Sequence, residues 1–242
     1  MKNFSRLIGG LVVGLIGLSA VAYGNVVDYN LAYVSKYIWR GQDQDNGQPA
    51  LQPGATLYLG STGLSVGIWG NYNIGAGYPN AGTGGTINQE FTEIDYTLTY
   101  ASAINEDWAY SLYFTRYVYP PAQLAKTEEL FLTLTGKSLP LAPTLLVSYD
   151  NDQGKGMYAS LGGKHSFGFG AITIDAALTA GYDGGQFGVT PGFSDATLAL
   201  STVLPAGGLT VTPTINYTVV GKDTRPTSEN VCWISLNVAG NL

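Results

Sequence analysis

The sequence predicts an all-β protein: a closed antiparallel transmembrane β-barrel of about 12 strands, preceded by a cleavable signal peptide. Three observations support this fold class. Apolar residues alternate with polar ones in segment after segment, and after the N-terminus they never form a run long enough for a spanning helix. Short connections alternate with long ones. Only 12% of the residues are charged, which is about half the usual share of a soluble domain.

Residues 1–22 have the three parts of a secretory signal peptide. Lys2 and Arg6 supply the basic region, residues 7–21 are apolar, and Ala20-Val21-Ala22 fits a small-x-small cleavage site. A retained membrane anchor is the alternative, although the stretch is short for one. Cleavage leaves residues 23–242 as the barrel and makes the net charge of −6 still more negative. Such an acidic chain lacks the basic footprint of a nucleic-acid-binding protein.

The first predicted strand covers residues 28–40, where the two faces differ in polarity because successive strand side chains point in opposite directions. One face carries Tyr29, Leu31, Tyr33, Tyr37 and Trp39, and the other carries Asp28, Asn30, Ala32, Lys36 and Arg40. We therefore expect Tyr37 and Trp39 to face lipid. Lys36 and Arg40 then face the lumen, and the chain leaves the membrane at Gly41.

The same alternation predicts eleven further strands, many of them close to the roughly 9–11 residues that cross a bilayer. They cover residues 51–59, 64–72, 93–100, 108–119, 128–135, 144–150, 157–167, 171–182, 195–204, 209–219 and 231–238. The fourth shows the pattern well, with Ile94, Tyr96 and Leu98 opposite Glu93, Asp95 and Thr97.

The connections between these strands fall into two classes. Those after odd-numbered strands are mostly long, polar and glycine-rich, whereas those after even-numbered strands are mostly short. Outer-membrane barrels have this organisation, with short periplasmic turns and longer outer loops. A soluble β-sandwich is the alternative, but it usually carries its charges on an outer face, and here the more polar face is mainly Thr, Ser, Asn, Gly and Tyr.

Several motifs resemble a known family. These are Ser35-Lys-Tyr-Ile-Trp-Arg-Gly41, Pro49-Ala50, Gln52-Pro-Gly54, Gly67-Ile-Trp69, Glu93-Ile-Asp95-Tyr96 and Tyr119-Pro120. The chain resembles the TorF-type porin family (the Gcw_chp domain family) over residues 25–135 and in architecture beyond them. The resemblance implies an outer-membrane β-barrel and indicates its location and fold more firmly than any substrate.

Charged residues that the alternation assigns to the inner face are the candidates for a pore lining. They are Lys36, Arg40, Glu93, Asp95, Glu129, Lys164 and Asp175. Charges facing lipid near the midplane would cost about 2–4 kcal/mol each, so we place these inside. They either select solutes or form ion pairs that fill the interior, with Arg40 paired to Glu93 or Asp95. Tyr58, Trp69, Tyr113 and Tyr117 are expected to narrow the lumen.

These features predict a passive, porin-like channel for small polar solutes or ions, exported to the bacterial outer membrane. Lipid and lipopolysaccharide are its expected neighbours there. The alternative is a non-conducting structural or ligand-binding barrel. An enzyme is not expected, because a lipid hydrolase needs Ser and His in contact. The single histidine, His165, precedes Ser166 on a strand, so the two side chains point to opposite faces.

Two predicted outer loops share an Asp-x-Asp-x-Gly motif, formed by Asp43 and Asp45 in the first and by Asp150 and Asp152 in the second. Alternating carboxylates before a glycine open many calcium loops, but the glutamate of the twelfth position is replaced by Gly54 and Leu161. Ordinary turn chemistry explains the motif equally well. We therefore predict no metal or cofactor, although these acids remain weak candidates for sharing divalent cations with lipopolysaccharide phosphates.

Overall fold

The computed structural model describes residues 26–75, 78–79, 86–87, 89–120 and 126–242. The predicted signal peptide, residues 1–22, lies outside the described residues. No helix in the described part of the chain is long and apolar enough to cross a membrane.

Twelve long strands form one antiparallel sheet that closes on itself. They are β1 Val26–Val34, β2 Ala50–Tyr58, β3 Leu64–Asn73, β4 Glu90–Ala103, β5 Trp108–Val118, β6 Thr127–Gly136, β7 Thr144–Asp150, β8 Gly156–Phe169, β9 Ile172–Asp183, β10 Gly192–Ser201, β11 Leu209–Val220 and β12 Val231–Asn241. Each pairs with its neighbours in sequence, and β1 pairs with β12 from Asp28↔Asn241 to Val34↔Ser235. The predicted closed barrel of 12 strands is confirmed.

Short elements accompany the barrel. Ile38–Trp39 pairs with Gln42–Asp43, and Tyr78–Pro79 pairs with Thr86–Ile87. Leu204–Ala206 pairs with β11, and a 3-10 helix covers Gln186–Gly188. The connections after odd-numbered strands lie at one end of the barrel, called here the long-loop end. The opposite end, with the tighter connections after even-numbered strands, is called the short-turn end.

The two faces of the barrel differ as the alternation predicts. Leu98, Leu132 and Ile215 are representative of the outer face, with 52%, 46% and 57% of their surface exposed. The inner face is polar, and on β11 it presents a row of buried side chains: Thr212, Thr214, Asn216 and Thr218. Apolar side chains point outward and polar ones point inward. The outer face is therefore suited to contact with lipid, and the interior is polar.

The first strand ends earlier than predicted. β1 stops at Val34 rather than at residue 40, whereas the other eleven strands begin and end within about three residues of their predicted limits. A bend at Ser35 and Lys36 breaks the alternation, and Arg40 and Gly41 have φ angles of 48° and 75°. The chain therefore turns inward, and residues 35–48 form what we call the lumenal loop.

The prediction that Tyr37 and Trp39 face lipid is consequently wrong. Tyr37 is buried in a cluster with Val34, Ile38, Ala50 and Trp233. Its ring centroid lies 5.5 Å from that of Trp69, on the inner face of β3. Trp39 packs against Tyr117 on the inner face of β5, at 6.5 Å. Strand alternation does not apply to these residues because they lie beyond the bend, and their rings fill the interior of the barrel.

Candidate functional site in the barrel lumen

The lumenal loop is attached to one wall of the barrel through Arg40. The Arg40 Nη1 and Nη2 atoms donate to both carboxylate oxygens of Glu129, at 2.8 and 3.0 Å. Nη2 also donates to Ser148 Oγ at 3.1 Å, and Nη1 donates to Gln186. The guanidinium lies 4.2 Å from the ring centroids of Trp39 and Tyr158. Such a two-pronged pair between aromatic rings is a strong and directional contact.

The backbone of the loop also touches the wall. Ser194 Oγ donates to the Arg40 carbonyl at 3.2 Å. A Cβ atom on Gly41 would lie 2.9 Å from Asp195 Cβ and 3.0 Å from Val220 Cγ1. Glycine is therefore required here both by its left-handed φ and by the close approach to β10 and β11.

The other side of the loop is attached across the lumen through Asp45. Asn71 Nδ2 donates to Asp45 Oδ2 at 2.6 Å, and Thr92 Oγ1 donates to Asp45 Oδ1 at 3.3 Å. Gln52 Nε2 donates to Asn71 Oδ1 at 2.9 Å, which extends the network onto β2. The lumenal loop is thus held by β3 and β4, by β6 and β7, and against β10 and β11, so it crosses the interior.

Two further long loops supply residues that sequence reasoning missed. Gln186, from the β9–β10 connection, is 1% exposed and donates to Glu129. Arg225, from the β11–β12 connection, forms a buried ion pair of 2.6 Å with Asp183. Asp183 Oδ1 also accepts hydrogen bonds from the backbone of Gly185 and Gln186. No local pattern marks either residue, because both lie in connections between strands, where the alternation of faces does not apply.

Electrostatic effects on the loop residues follow from this burial. Burial alone lowers the pKa of Arg40, but the Glu129 carboxylate outweighs it and holds the pKa above its usual value. Burial, followed by the charges of Glu93 and Asp95, raises the pKa of Tyr37 well above the ordinary range. Tyr37 is therefore a neutral phenol close to the Glu93 and Asp95 carboxyl groups.

Glu93 and Asp95 lie on the inner face of β4, opposite Asn71 and Trp69 of β3. The predicted pairing of Arg40 with either of them is wrong, because the loop carries Arg40 past this position to Glu129. Among the residues that the structure describes, no Lys or Arg forms a salt bridge with Glu93 or Asp95.

The remaining pore-lining candidates lie elsewhere. Lys36 is half-buried in the lumenal loop, with its Nζ near Gly47. Lys164 and Asp175 are on β8 and β9 towards the short-turn end, and both are partly exposed. Ser166 donates to Asp175 at 2.5 Å. The structure brings together Arg40 with Glu129 and Glu93 with Asp95, but it does not gather the seven candidates into a single site.

The aspartates of the two Asp-x-Asp-x-Gly motifs stabilise their loops. Asp43 Oδ1 accepts a hydrogen bond from the Asp45 backbone at 3.2 Å. Asp150 Oδ1 accepts from the backbones of Asp152 and Gly154 at 2.9 Å each. Within the described ranges, no group of three or more His, Cys, Asp or Glu side chains is placed to hold a metal ion.

The single histidine is on the outer surface. His165 packs edge-on against Phe167, with 4.6 Å between ring centroids, while Ser166 bonds to Asp175. Their opposite orientations give no nucleophile–base contact between these two neighbours. Arg116 also faces outward, where it forms a 3.4 Å ion pair with Glu128 near the long-loop end.

Outer-membrane porins and channels are the class of protein that this closed barrel resembles. It is similar to the COG4313 outer membrane channel from Pseudomonas putida F1, with a TM-score of 0.55 and 10% identity, covering 95% of this chain and 100% of that one. The NanC porin has a TM-score of 0.47 and 10% identity, with coverage of 88% and 97%. At these identities the likeness concerns the fold alone.

The family is defined by sequence. The model of the Gcw_chp family, described as a bacterial protein of unknown function, matches residues 20–232, and the chain belongs to this family. This match confirms the predicted membership of the Gcw_chp family and extends well beyond the segment that carries the quoted motifs. No curated protein matches the sequence.

Proposed function

We propose that the protein is an outer-membrane channel through which small polar solutes or ions diffuse passively. One observation carries the proposal: polar side chains that face the interior are partly accessible from the middle of the strands towards the short-turn end. They include Asn30, Thr56, Asp95, Thr97, Ser160, Thr179 and Thr197. Accessible inward-facing side chains require open space inside the barrel, and their polarity suits water.

The lumenal loop provides the constriction of this channel. It crosses the long-loop half, where the inward-facing side chains of Glu129, Ser148 and Asp150 are buried. A barrel of this strand number lies between small barrels filled by side chains and wide porins with an open aqueous channel. We infer a narrow pathway whose width depends on the lumenal loop. The long-loop end faces the outside of the cell, and the signal peptide directs export.

Conductance of the refolded protein in planar bilayers tests the proposal. We expect small, ohmic channels, and larger ones when residues 37–46 are replaced by a Gly-Ser linker that releases the constriction. Swelling of liposomes in small sugars provides a second readout. If neither the wild type nor the linker variant conducts or admits solute, the channel proposal is wrong.

The second candidate is a non-conducting structural or ligand-binding barrel. The packing of the lumenal loop favours it, because Arg40, Asp45 and Gln186 leave little exposed surface in that half. Lipid and lipopolysaccharide are the proposed neighbours in both cases, with Arg116 near the headgroups. We also propose that the protein is a TorF-type porin and that it is located in the outer membrane.

A further inference from the structure

A carboxylate pair inside the barrel is bordered by aromatic rings. Glu93 and Asp95 lie two positions apart on the inner face of β4, so their carboxyl groups project side by side into the lumen. Asp95 is opposite Trp69 on one side and Tyr117 on the other. Tyr37 from the lumenal loop packs on Trp69, with 5.5 Å between their ring centroids.

The pair lacks a positive partner within the described part of the chain. Arg40 is bound to Glu129, and Arg225 is bound to Asp183. Glu93 is only 7% exposed, and the Oδ1 atom of Asp95 is buried without a hydrogen-bond partner. Two neighbouring carboxylates with so little access to water repel each other, and a proton or a cation between them relieves that repulsion.

The surroundings favour an organic cation over a metal ion. The described residues hold no cluster of three metal-ligating side chains, whereas Trp69 and Tyr117 flank Asp95 on the neighbouring strands and Tyr37 packs on Trp69. Ring faces attract alkylammonium groups through cation–π interactions, and the carboxylates accept their N–H bonds. Asp95, Trp69 and Thr97 are also partly exposed towards the accessible half of the lumen, so a small solute has a route to the pair.

We propose that Glu93 and Asp95, with the rings of Tyr37 and Trp69, form a binding site for a small alkylammonium ion. The inference deepens the proposed function, since it rests on a lumen that solutes enter and names a class of solute. Binding does not require conduction, however, so the site and the channel are tested separately.

Isothermal titration of the detergent-folded protein with n-butylammonium chloride tests the site, with n-butanol as the neutral probe of equal chain length. We expect saturable binding of n-butylammonium and none of n-butanol. Asp95→Asn and Glu93→Gln, which keep the side-chain shape, should each weaken binding at least tenfold. Trp69→Leu should weaken it more than Trp69→Phe, which retains a ring.

Asp175→Asn is the matched control, because it also removes one inward-facing carboxylate but lies on β9 away from the rings. Its affinity for n-butylammonium should stay within twofold of the wild type. Folding of each variant is checked by the heat-dependent mobility of barrels in gels. If Glu93→Gln does not fold, the Asp95→Asn variant, at a partly exposed position, provides the same test by itself.

Equal binding of the charged and neutral probes would overturn the site, as would an equal loss in Asp175→Asn and Asp95→Asn. Either result would mean that a proton shared between Glu93 and Asp95 is enough to explain how the two carboxyl groups lie side by side. Conductance without n-butylammonium binding rejects the site and leaves the channel standing. Binding without conductance supports the site and rejects the channel.

Discussion

The guanidinium of Arg40 is buried at 4% exposure against a Glu129 side chain at 1%. Removing two charges from water is costly, and their mutual attraction compensates only when hydrogen bonds satisfy the remaining donors and acceptors. Ser148, Gln186 and Tyr117 provide those bonds here. The pair therefore fixes the position of the lumenal loop rather than simply adding stability.

Arg40→Met should lower the free energy of unfolding by about 3–5 kcal/mol, because it leaves the Glu129 charge buried without a partner. The double variant Arg40→Met/Glu129→Leu should recover part of that loss. Urea unfolding in lipid vesicles, followed by tryptophan fluorescence, measures both.

Arg116→Met is the matched control for Arg40→Met. It also breaks an Arg–Glu ion pair, but the side chain of Arg116 is 40% exposed. Exposed pairs contribute at most about 1 kcal/mol. Equal losses in Arg40→Met and Arg116→Met would contradict the buried network.

At the scale of elements, the lumenal loop is held at three separate parts of the barrel wall. Arg40 attaches it to β6 and β7, and Asp45 attaches it to β3 and β4. Gly41 passes between these attachments against β10 and β11. The loop is consequently a bridge across the lumen, and its position depends on the backbone conformation at this glycine.

Gly41→Ala should displace the loop and enlarge the conductance, because the new Cβ atom collides with Asp195 and Val220. Gly170→Ala is the control: its φ of 63° is also left-handed, but no atom lies within 4 Å of the added Cβ. Both variants should lose roughly 1–2 kcal/mol from backbone strain, whereas only Gly41→Ala should alter the single-channel current. An unchanged current in Gly41→Ala would show that the loop does not limit conduction.

At the scale of the whole molecule, the barrel separates an apolar outer belt from an acidic lumen. Leu98 lies midway along β4 on the outer face, while Val118 ends β5 towards the long-loop end. A charge placed on the lipid side costs more near the membrane midplane than near its edge.

Leu98→Arg should therefore destabilise the folded barrel by about 2–4 kcal/mol, and Val118→Arg by about 0–1 kcal/mol. Urea titrations in vesicles measure both values. Similar losses at the two positions would place the belt elsewhere on the barrel.

The acidic lumen predicts a preference for cations. In a potassium chloride gradient, the zero-current potential should favour potassium in the wild type. The double variant Glu93→Gln/Asp95→Asn should reduce that preference, because neutral amides replace the carboxylates that attract cations. An unchanged potential would place both residues outside the permeation path.

Much of this architecture follows from local sequence patterns. Side chains alternate along any strand, so the spacing of Ile94, Tyr96 and Leu98 against Glu93 and Asp95 is enough to assign their faces. The same rule correctly separates His165 from Ser166. It fails for Tyr37 and Trp39 because a bend after Val34 ends the strand, and the alternation beyond it carries no information about orientation.

The sequence by itself determined the strand count, the apolar exterior and the residue types of the interior, because these depend on neighbours a few positions apart. Only the tertiary structure decided that residues 35–48 fold inward, that Arg40 meets Glu129, 89 positions away, and that Gln186 joins them from 146 positions away. Barrel closure brings these distant segments together, and a loop crosses the lumen only where opposite walls offer it buried partners. No local sequence pattern predicts which distant residues will meet in this way.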